Sequence, residues 1–174
     1  RSLDWAVLAM LDAGSWHSRA FAGERLPTLA QALEFCARHG CMLNVEIKPA
    51  PGDERRTGRR VGEALARLWR QSPLPLLSSF SPVALEAAAD AAPHLPRALL
   101  HERFAPGWRE QAERLGCLAI VAEHNAWGAE SARAAAEAGL RRLAYTVNDD
   151  AEAARLFGLG LDSLITDRVD HFCP

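Results

Sequence analysis

The sequence predicts an α/β fold of repeated βα units, which we interpret as about six of the eight units of a (β/α)8 barrel. Four observations lead to this prediction. Short apolar segments alternate with helical stretches. The apolar segments begin about every 20 to 35 residues, as strands with parallel crossovers do, and polar side chains gather at their carboxyl ends. Strands that are apolar on both faces indicate a parallel sheet covered by helices.

The amino-terminal segment, residues 1–27, is the least regular part of the chain, and we interpret it as a loop or small insertion that precedes the third barrel strand. Pro27 begins a stretch of apolar periodicity that predicts a helix ending near His39 and Gly40, because glycine often follows the last turn of a helix. Residues 27–174 are then expected to form the carboxyl-terminal part of the barrel as a single domain.

The barrel elements follow one another in regular order. Residues 41–48 form a short apolar run with polar residues at its carboxyl end, which indicates a strand. Ser81, directly before Pro82, is predicted to cap the amino terminus of a helix. Further strands are predicted near 75–80, 97–101, 117–122, 141–147 and 163–167, and helices around 55–71, 82–92, 107–115, 128–138 and 150–158.

Two architectures accommodate such units, a doubly wound sheet and a (β/α)8 barrel. Neither GxGxxG nor GxxxxGK[ST] follows any strand, which counts against a nucleotide-binding doubly wound fold. Barrel enzymes carry catalytic groups at the carboxyl ends of several strands, where the polar residues of this chain fall. A whole barrel has about 250 residues, so we expect about two further βα units upstream of Arg1.

Composition and charge exclude several classes of function. The chain has 174 residues with 20 basic and 22 acidic side chains and a net charge of −2, whereas a general nucleic-acid or membrane-surface binder needs a basic surplus. No apolar run reaches the roughly 18 residues of a membrane span, so we expect no membrane insertion. The four cysteines form no CxxC pair, which indicates free thiols rather than a zinc site or disulfide framework, and a cytoplasmic protein.

Asn44, Glu46 and Lys48 form the clearest chemical pattern. Period-two spacing places their side chains on one face of the first strand, which in a barrel is the interior. A carboxylate beside an ammonium group could bind a divalent cation and an anionic oxygen, as phosphoryl chemistry requires. The same pair could instead be a buried ion pair that fills the barrel. Lys48 is the only lysine among the 20 basic residues, which is what a phosphate-neutralising role would look like.

A series of short motifs, each present once, follows along the chain. They are Asp-Ala-Gly-Ser-Trp at 12–16, Phe-x-Gly-Glu at 21–24, Leu-Pro-Thr-Leu at 26–29, Asn-Val-Glu-Ile-Lys-Pro at 44–49, Leu-Leu-Ser-Ser-Phe at 76–80, Tyr-Thr-Val-Asn at 145–148 and Asp-x-x-x-Thr-Asp at 162–167. Together they resemble the glycerophosphodiester phosphodiesterase family, and its cytoplasmic bacterial branch most closely. The similarity extends from about Leu3 to Asp170.

This resemblance implies a barrel enzyme that hydrolyses a glycerophosphodiester, such as glycerophosphocholine, to sn-glycerol 3-phosphate and an alcohol. It also implies a divalent metal, Mg²⁺ or Ca²⁺, held by three or four carboxylates, of which Glu46 matches one. Lys48 matches the lysine that neutralises the phosphate, so Glu46 and Lys48 are the predicted catalytic residues. Four other motifs of the family, His-Arg-Gly, Glu-Asn-Thr, Glu-x-Asp and His-Asp, do not occur in the sequence.

Because these four motifs are missing, the chain alone is predicted to be inactive. A metal held by one protein carboxylate binds weakly, and cleavage without a positioned acid–base pair loses a factor of about 10²–10⁴ or more. We expect the acid and base histidines and the other metal carboxylates upstream of Arg1. The alternative is a degenerate relative that lacks them altogether.

Further residues at the strand ends are candidates for substrate contact. Ser79, Phe80, Tyr145 and Asn148 are predicted to bind substrate, Phe80 and Tyr145 as an apolar wall. The alternatives are packing inside the barrel and, for Asn148, the start of the next helix. Three more polar residues, which a solvated loop explains more simply, could contact the leaving alcohol: His101, Glu123 and His124.

The predicted function is therefore metal-dependent hydrolysis of glycerophosphodiesters, so the expected partner is a small-molecule substrate. A homo-oligomer is possible, and the sequence does not decide whether it forms. One alternative is a catalytically incomplete barrel that binds glycerophosphodiesters or acts as a scaffold. Another is a phospholipase C-like phosphodiesterase, which would be expected to carry apolar or basic surface loops for membrane contact. The sequence does not decide the head group or the metal.

Overall fold

The computed structural model describes residues 3–168 and 170–172, and its chain divides into two compact units with the boundary between Met42 and Leu43. The amino-terminal unit contains α1 at Trp5–Leu8, a 3₁₀ helix at Arg19–Phe21 and α2 at Leu29–His39. Cys173 lies outside the described residues, whereas three cysteines are free thiols as predicted: Cys36, Cys41 and Cys117.

Asp12 organises the irregular part of the amino-terminal unit. Its carboxylate accepts hydrogen bonds from the backbone N–H groups of Gly14 (2.9 Å), Ser15 and Gly23 (both 2.8 Å), and from the Ser15 hydroxyl at 2.7 Å. These bonds, the one from the Ser15 backbone most strongly, hold the pKa of Asp12 well below its usual range. The segment 1–27 thus contains a loop that the Asp12 carboxylate helps to close, together with the backbone hydrogen bond from Ala13 to the Glu24 carbonyl.

Both ends of α2 follow from its sequence. The Thr28 hydroxyl accepts a hydrogen bond from the Gln31 N–H, and the Gln31 side chain accepts one from the Thr28 N–H, so the two residues form a capping box. At the other end Gly40 has a φ of +67°, a left-handed conformation that glycine adopts without steric strain. The predicted end of this helix at His39 and Gly40 is confirmed.

The carboxyl-terminal unit contains a six-stranded parallel sheet, and its elements lie within or close to the predicted ranges. β1 is shorter than the predicted 41–48. At its start the Cys41 N–H donates to the Cys36 carbonyl of α2, and beyond its end the Ile47 N–H continues the pairing to the Ser78 carbonyl at 2.7 Å. The strands are β1 Asn44–Glu46, β2 Leu76–Ser79, β3 Arg97–His101, β4 Ala119–Glu123, β5 Arg141–Tyr145 and β6 Ser163–Leu164, and the helices are α3 Glu54–Leu68, α4 Pro82–Ala91, α5 Trp108–Arg114, α6 Ala129–Glu137 and α7 Asp150–Gly158.

The strand order decides between the two predicted architectures. A doubly wound sheet reverses its strand order at a switch point, whereas here each strand pairs with the preceding one, from β1 to β6. Winding in one direction is the topology of a (β/α)8 barrel. The prediction of about six barrel units is therefore confirmed. Within the described ranges, no helix is long and apolar enough to cross a membrane.

The strand register divides the side chains between two faces of the sheet. The face that we call the inner face carries a small apolar cluster. The opposite, helix-facing side carries the larger core, in which strand residues pack against the covering helices. The inner cluster comprises Ala98, Leu100, Ala119 and Val121, with Leu76, Leu143, Tyr145 and Ile165 packed against it, and the helix-facing core includes Leu85, Leu99, Ile120, Ala122, Trp127, Ala144 and Leu156.

α3 and α4 approach each other closely. A β-carbon at Gly58 of α3 would lie 2.1 Å from the carbonyl oxygen of Ala84, and one at Gly62 would lie 2.9 Å from that of Ala88. The approach is possible only because glycine has no side chain. At the start of α4 the Ser81 hydroxyl accepts a hydrogen bond from the Ala84 N–H at 3.2 Å, which confirms the predicted cap.

Candidate active site

The carboxyl ends of the strands bring polar and aromatic side chains together on the inner face. The register pairs Glu46 with Ser78 and Glu123 with Tyr145. Ser78 is also level with Ala98 of the inner cluster, and Phe80 follows it by two residues. Since side chains alternate along a strand, all six residues lie on the inner side of their strands.

Glu46 and Lys48 stand at the end of β1 as the spacing predicts. Both side chains are exposed, whereas Ile47 between them is only 2% exposed. Neither takes part in a salt bridge with any residue that the structure describes. Within the described residues, Glu46 and Lys48 therefore do not form the buried ion pair of the alternative interpretation.

Ser79 ties the end of β1 to the end of β2. Its hydroxyl donates a hydrogen bond to the Ile47 carbonyl at 2.6 Å and accepts one from the Ser81 N–H at 3.0 Å. Ser79 is completely buried and pairs in register with Leu99 of the helix-facing core. The hydroxyl thus has a structural task beside Glu46 and Lys48, and its contact with substrate stays a prediction.

Phe80 and Tyr145 form the aromatic wall that the sequence predicts. Their ring centroids are 5.9 Å apart with an interplanar angle of 90°, an edge-to-face contact. The Tyr145 hydroxyl donates a hydrogen bond to the His101 carbonyl at 3.0 Å, which fixes the ring. Burial, together with the negative charges of nearby glutamates, raises the pKa of Tyr145, so the phenol stays protonated.

Two cavities share the Phe80 ring. The smaller, about 280 Å³, is lined by Glu46, Lys48 and Phe80 among others. The larger, about 840 Å³, extends from Phe80 and Tyr145 over the ends of β3 and β4. A ligand held at Lys48 could therefore continue past Phe80 into the larger cavity, whose other lining residues are Glu102, Arg103, Phe104, Glu123, Asn125 and Ala126.

Asn148 joins the end of β5 to the segment that follows β6. Its side-chain carbonyl accepts hydrogen bonds from the Thr166 hydroxyl and the Asp167 N–H, both at 2.9 Å. Its amide group donates to the Asp167 carboxylate at 3.1 Å. The start of the next helix is capped instead by Asp149, which accepts from the Glu152 N–H. The predicted substrate contact of Asn148 is untested by these bonds.

His101 lies away from the cavity. It pairs in register with Ala122 of the helix-facing core, and its ring packs against Phe104 with centroids 5.8 Å apart. Its Nε2 atom is buried and has no hydrogen-bond partner among the described residues. Burial lowers the pKa of His101. The ring is thus neutral at pH 7 and turned from the position that contact with a leaving alcohol requires.

His124 is held between two carboxylates. Its Nδ1 atom lies 2.9 Å from a carboxylate oxygen of Glu152, and its Nε2 atom lies 3.1 Å from one of Glu123. Arg155 donates to Glu152 and to the backbone carbonyls of His124 and Trp127. Hydrogen bonding from Arg155 lowers the pKa of Glu152 most, to about 2. The cluster anchors α7 to the segment after β4.

Comparison with known proteins identifies the family. The sequence profile described as the Glycerophosphoryl diester phosphodiesterase family matches residues 1–171. This chain belongs to the glycerophosphoryl diester phosphodiesterase family.

Two named relatives agree with this family assignment. The chain is 28% identical over 168 residues to YhdW of Bacillus subtilis, whose name assigns it to the glycerophosphodiester phosphodiesterases; the match covers 94% of this chain and 67% of the relative. It is 27% identical over 162 residues to the glycerophosphodiester phosphodiesterase of Caldanaerobacter subterraneus, covering 90% of this chain and 64% of that protein.

A solved structure supports the barrel fold at higher identity. A phosphodiesterase of Oleispira antarctica, solved in complex with the product sn-glycerol-3-phosphate, is 33% identical with a TM-score of 0.89. The match covers 94% of this chain and 66% of that chain. The chain therefore spans about two thirds of the length of the relatives it matches.

The metal implied by the family resemblance requires more ligands than these residues supply. Among the described residues, no group of three or more His, Cys, Asp or Glu side chains could hold a metal ion. Mg²⁺ and Ca²⁺ take about six to eight oxygen ligands, usually including several from protein. Glu46 alone does not complete such a set, so the described part of this family member does not by itself fit the metal.

Two features of the site are specified only by the structure: the burial of Ser78 and the contacts that hold His124. Ser78 is completely buried on the inner face level with Glu46, and its hydroxyl has no partner in the described part of the chain. Glu152 and Arg155 hold His124 from α7, 28 and 31 residues further along the chain. Helix periodicity alone could have placed Glu152 and Arg155 on one side of α7, but not beside His124.

Proposed function

We propose that the protein hydrolyses glycerophosphodiesters to sn-glycerol 3-phosphate and an alcohol. The observation that carries the proposal is that Glu46 and Lys48 line one cavity together with Phe80 at the carboxyl end of β1, in a member of the glycerophosphoryl diester phosphodiesterase family. Barrel enzymes bind and transform their substrates at the carboxyl ends of the barrel strands.

Lys48 would bind the phosphodiester. Its ammonium group can approach a non-bridging phosphoryl oxygen and stabilise the charge that grows there during hydrolysis. The two cavities that meet at Phe80 suit a diester whose phosphate lies at Lys48 and whose glycerol or alcohol carbons rest on Phe80 and Tyr145. Ser79 would keep the end of β1 in place through its hydrogen bond to the Ile47 carbonyl.

The acid–base chemistry is not assigned to a described histidine. His101 faces the helix side, and His124 is bound between Glu123 and Glu152. Metal dependence, with Mg²⁺ or Ca²⁺ on Glu46, also stays a prediction, as do the cytoplasmic location and homo-oligomer formation. Hydrolysis by the protein therefore requires groups in addition to those of the described site.

A second candidate is glycerophosphodiester binding without turnover. Its specific support is that His101 faces the helix side and His124 is held between Glu123 and Glu152, whereas Lys48 and Phe80 line a cavity. The same Lys48 and Phe80 contacts would then serve recognition alone.

Two measurements on the purified protein separate these candidates. Release of sn-glycerol 3-phosphate from glycerophosphocholine, with and without Mg²⁺ or Ca²⁺, reports turnover, and calorimetric titration with sn-glycerol 3-phosphate reports binding. Lys48→Ala should weaken binding by about tenfold or more, as expected for loss of a charge-assisted contact. Arg133→Ala, an exposed helix residue in α6, is the matched control and should bind normally.

Each outcome has a clear consequence. Metal-stimulated release that Lys48→Ala abolishes supports hydrolysis at this site. Binding without release, weakened in the same variant, supports the binding protein. Normal binding and turnover in Lys48→Ala contradict both candidates, because both require this ammonium group.

A further inference from the structure

The carboxyl end of α2 brings two cysteines together. Cys41 N–H donates to the Cys36 carbonyl at 2.9 Å, and Gly40 between them takes the left-handed conformation. This is the Schellman arrangement, in which the third residue from the helix end and the second residue beyond it characteristically place their side chains in contact. Here those two residues are Cys36 and Cys41.

The two thiols differ in accessibility. Cys41 is exposed and Cys36 is half-buried. Burial, together with the adjacent Cys41 thiol, raises the pKa of Cys36. A half-buried thiol next to an exposed one suits the order in which a disulfide forms, with the exposed sulfur oxidised first and its neighbour resolving the product.

We propose that Cys36 and Cys41 are a redox modification site, at which a peroxide converts the two thiols into an intramolecular disulfide that closes the end of α2. The Cys41 thiol loses its proton, and the thiolate attacks one oxygen of hydrogen peroxide. The O–O bond breaks, Cys41 becomes a sulfenic acid, and the departing hydroxide takes up a proton to leave as water. The Cys36 thiol then loses its proton and its sulfur attacks the Cys41 sulfur, so that the S–S bond forms, the S–O bond breaks, and the hydroxide leaves with that proton as a second water. The two sulfurs lose two electrons and the peroxide gains them.

The disulfide needs little rearrangement of the chain. A disulfide requires α-carbons about 4.4–6.8 Å apart, and the 2.9 Å hydrogen bond from Cys41 to Cys36 already holds the two backbones together. Cys117 lacks such a neighbour among the described cysteines, and burial raises its pKa to about 11. Peroxide is therefore expected to leave the Cys117 thiol of the parent protein unchanged.

The test uses the purified protein carrying Cys117→Ser and Cys173→Ser, so that only Cys36 and Cys41 remain. Arg38 lies between them, so tryptic cleavage leaves the cysteines on separate peptides that only a disulfide holds together. After hydrogen peroxide treatment we expect linked peptides, a mass lower by two hydrogens, and loss of both titratable thiols. The rate should not change over about a tenfold range of protein concentration, because the reaction is intramolecular.

Single variants complete the test. Cys36→Ser leaves Cys41 without its resolving thiol, so a dimedone adduct of the Cys41 sulfenic acid should accumulate. If the serine variant does not fold, Cys36→Ala replaces it in the same measurement. Reduction with dithiothreitol should restore both thiols in the parent. Disulfides between two chains, or a Cys41 sulfenic acid that persists beside a titratable Cys36, would overturn the proposal.

Discussion

The buried hydroxyl of Ser79 donates a 2.6 Å hydrogen bond to the carbonyl of Ile47, the residue between Glu46 and Lys48. β1 ends at Glu46, so regular strand pairing does not extend to Lys48. The Ser79 bond therefore fixes the short segment that carries both predicted catalytic side chains.

Neighbouring serines give a matched pair of variants. Ser79→Ala leaves the Ile47 carbonyl without this donor and should lower the free energy of unfolding by about 1–3 kcal/mol. Ser78→Ala removes an equally buried hydroxyl that has no partner among the described residues, so its effect on stability should be close to zero or stabilising. Denaturant unfolding of both variants measures the difference, and equal losses would contradict the structural task of Ser79.

The Phe80–Tyr145 contact should be measurable as a coupling. The edge-to-face geometry predicts an interaction of about 0.5–1.5 kcal/mol in a double-mutant cycle of Phe80→Leu and Tyr145→Leu, read from unfolding free energies. Tyr145→Phe keeps the ring and removes only the hydrogen bond to the His101 carbonyl. Additive effects of the two leucine variants would show that the rings merely lie near each other.

Glu152 should make stability depend on pH in the acid range. Its pKa falls from 4.5 to about 2 in the folded protein, chiefly through Arg155. A carboxyl group with a lowered folded pKa contributes stability above its unfolded pKa, and this contribution is lost as pH falls through the folded value. The stability gap between the parent and Glu152→Gln should therefore narrow between pH 4.5 and about 2.

Unfolding at a series of pH values measures this gap. Glu137→Gln is the matched control, because Glu137 forms an exposed pair with Arg133 on α6 and such pairs contribute only about 0–1 kcal/mol. A Glu152→Gln gap that stays constant through the acid range would show that the His124–Glu152–Arg155 cluster does not form in solution.

Local signals account for most of what the sequence predicted about the fold. The Thr28 and Gly40 caps, the Ser81 cap before Pro82 and the spacing of the apolar runs each depend on a few adjacent residues, and each is present in the structure. The sequence does not predict the late start of β1. Cys41 is apolar enough to begin a strand, and it is equally suited to the turn that follows α2.

The candidate site was predictable only where strand period decides it. The alternation around Ile47 placed Glu46 and Lys48 correctly, but His101 was grouped with them because it also ends a strand, and its register puts it on the helix-facing side. The hydrogen bonds between Asn148 and Asp167 and between His124 and Glu152 join residues that are 19 and 28 positions apart. Without a structure, no local pattern specifies such contacts.

Alanine substitutions at two helical glycines compare the effect of helix packing with the effect of helix propensity on the free energy of unfolding. Gly58→Ala would place a β-carbon 2.1 Å from the Ala84 carbonyl oxygen and force α3 away from α4, so we expect a loss of about 1–3 kcal/mol. Gly158→Ala in α7 has open space at its β-carbon and should raise stability by up to about 0.5–1 kcal/mol, since alanine favours the helix. Denaturant unfolding gives both values. A stabilising Gly58→Ala would mean that the two helices are further apart in solution than this packing requires.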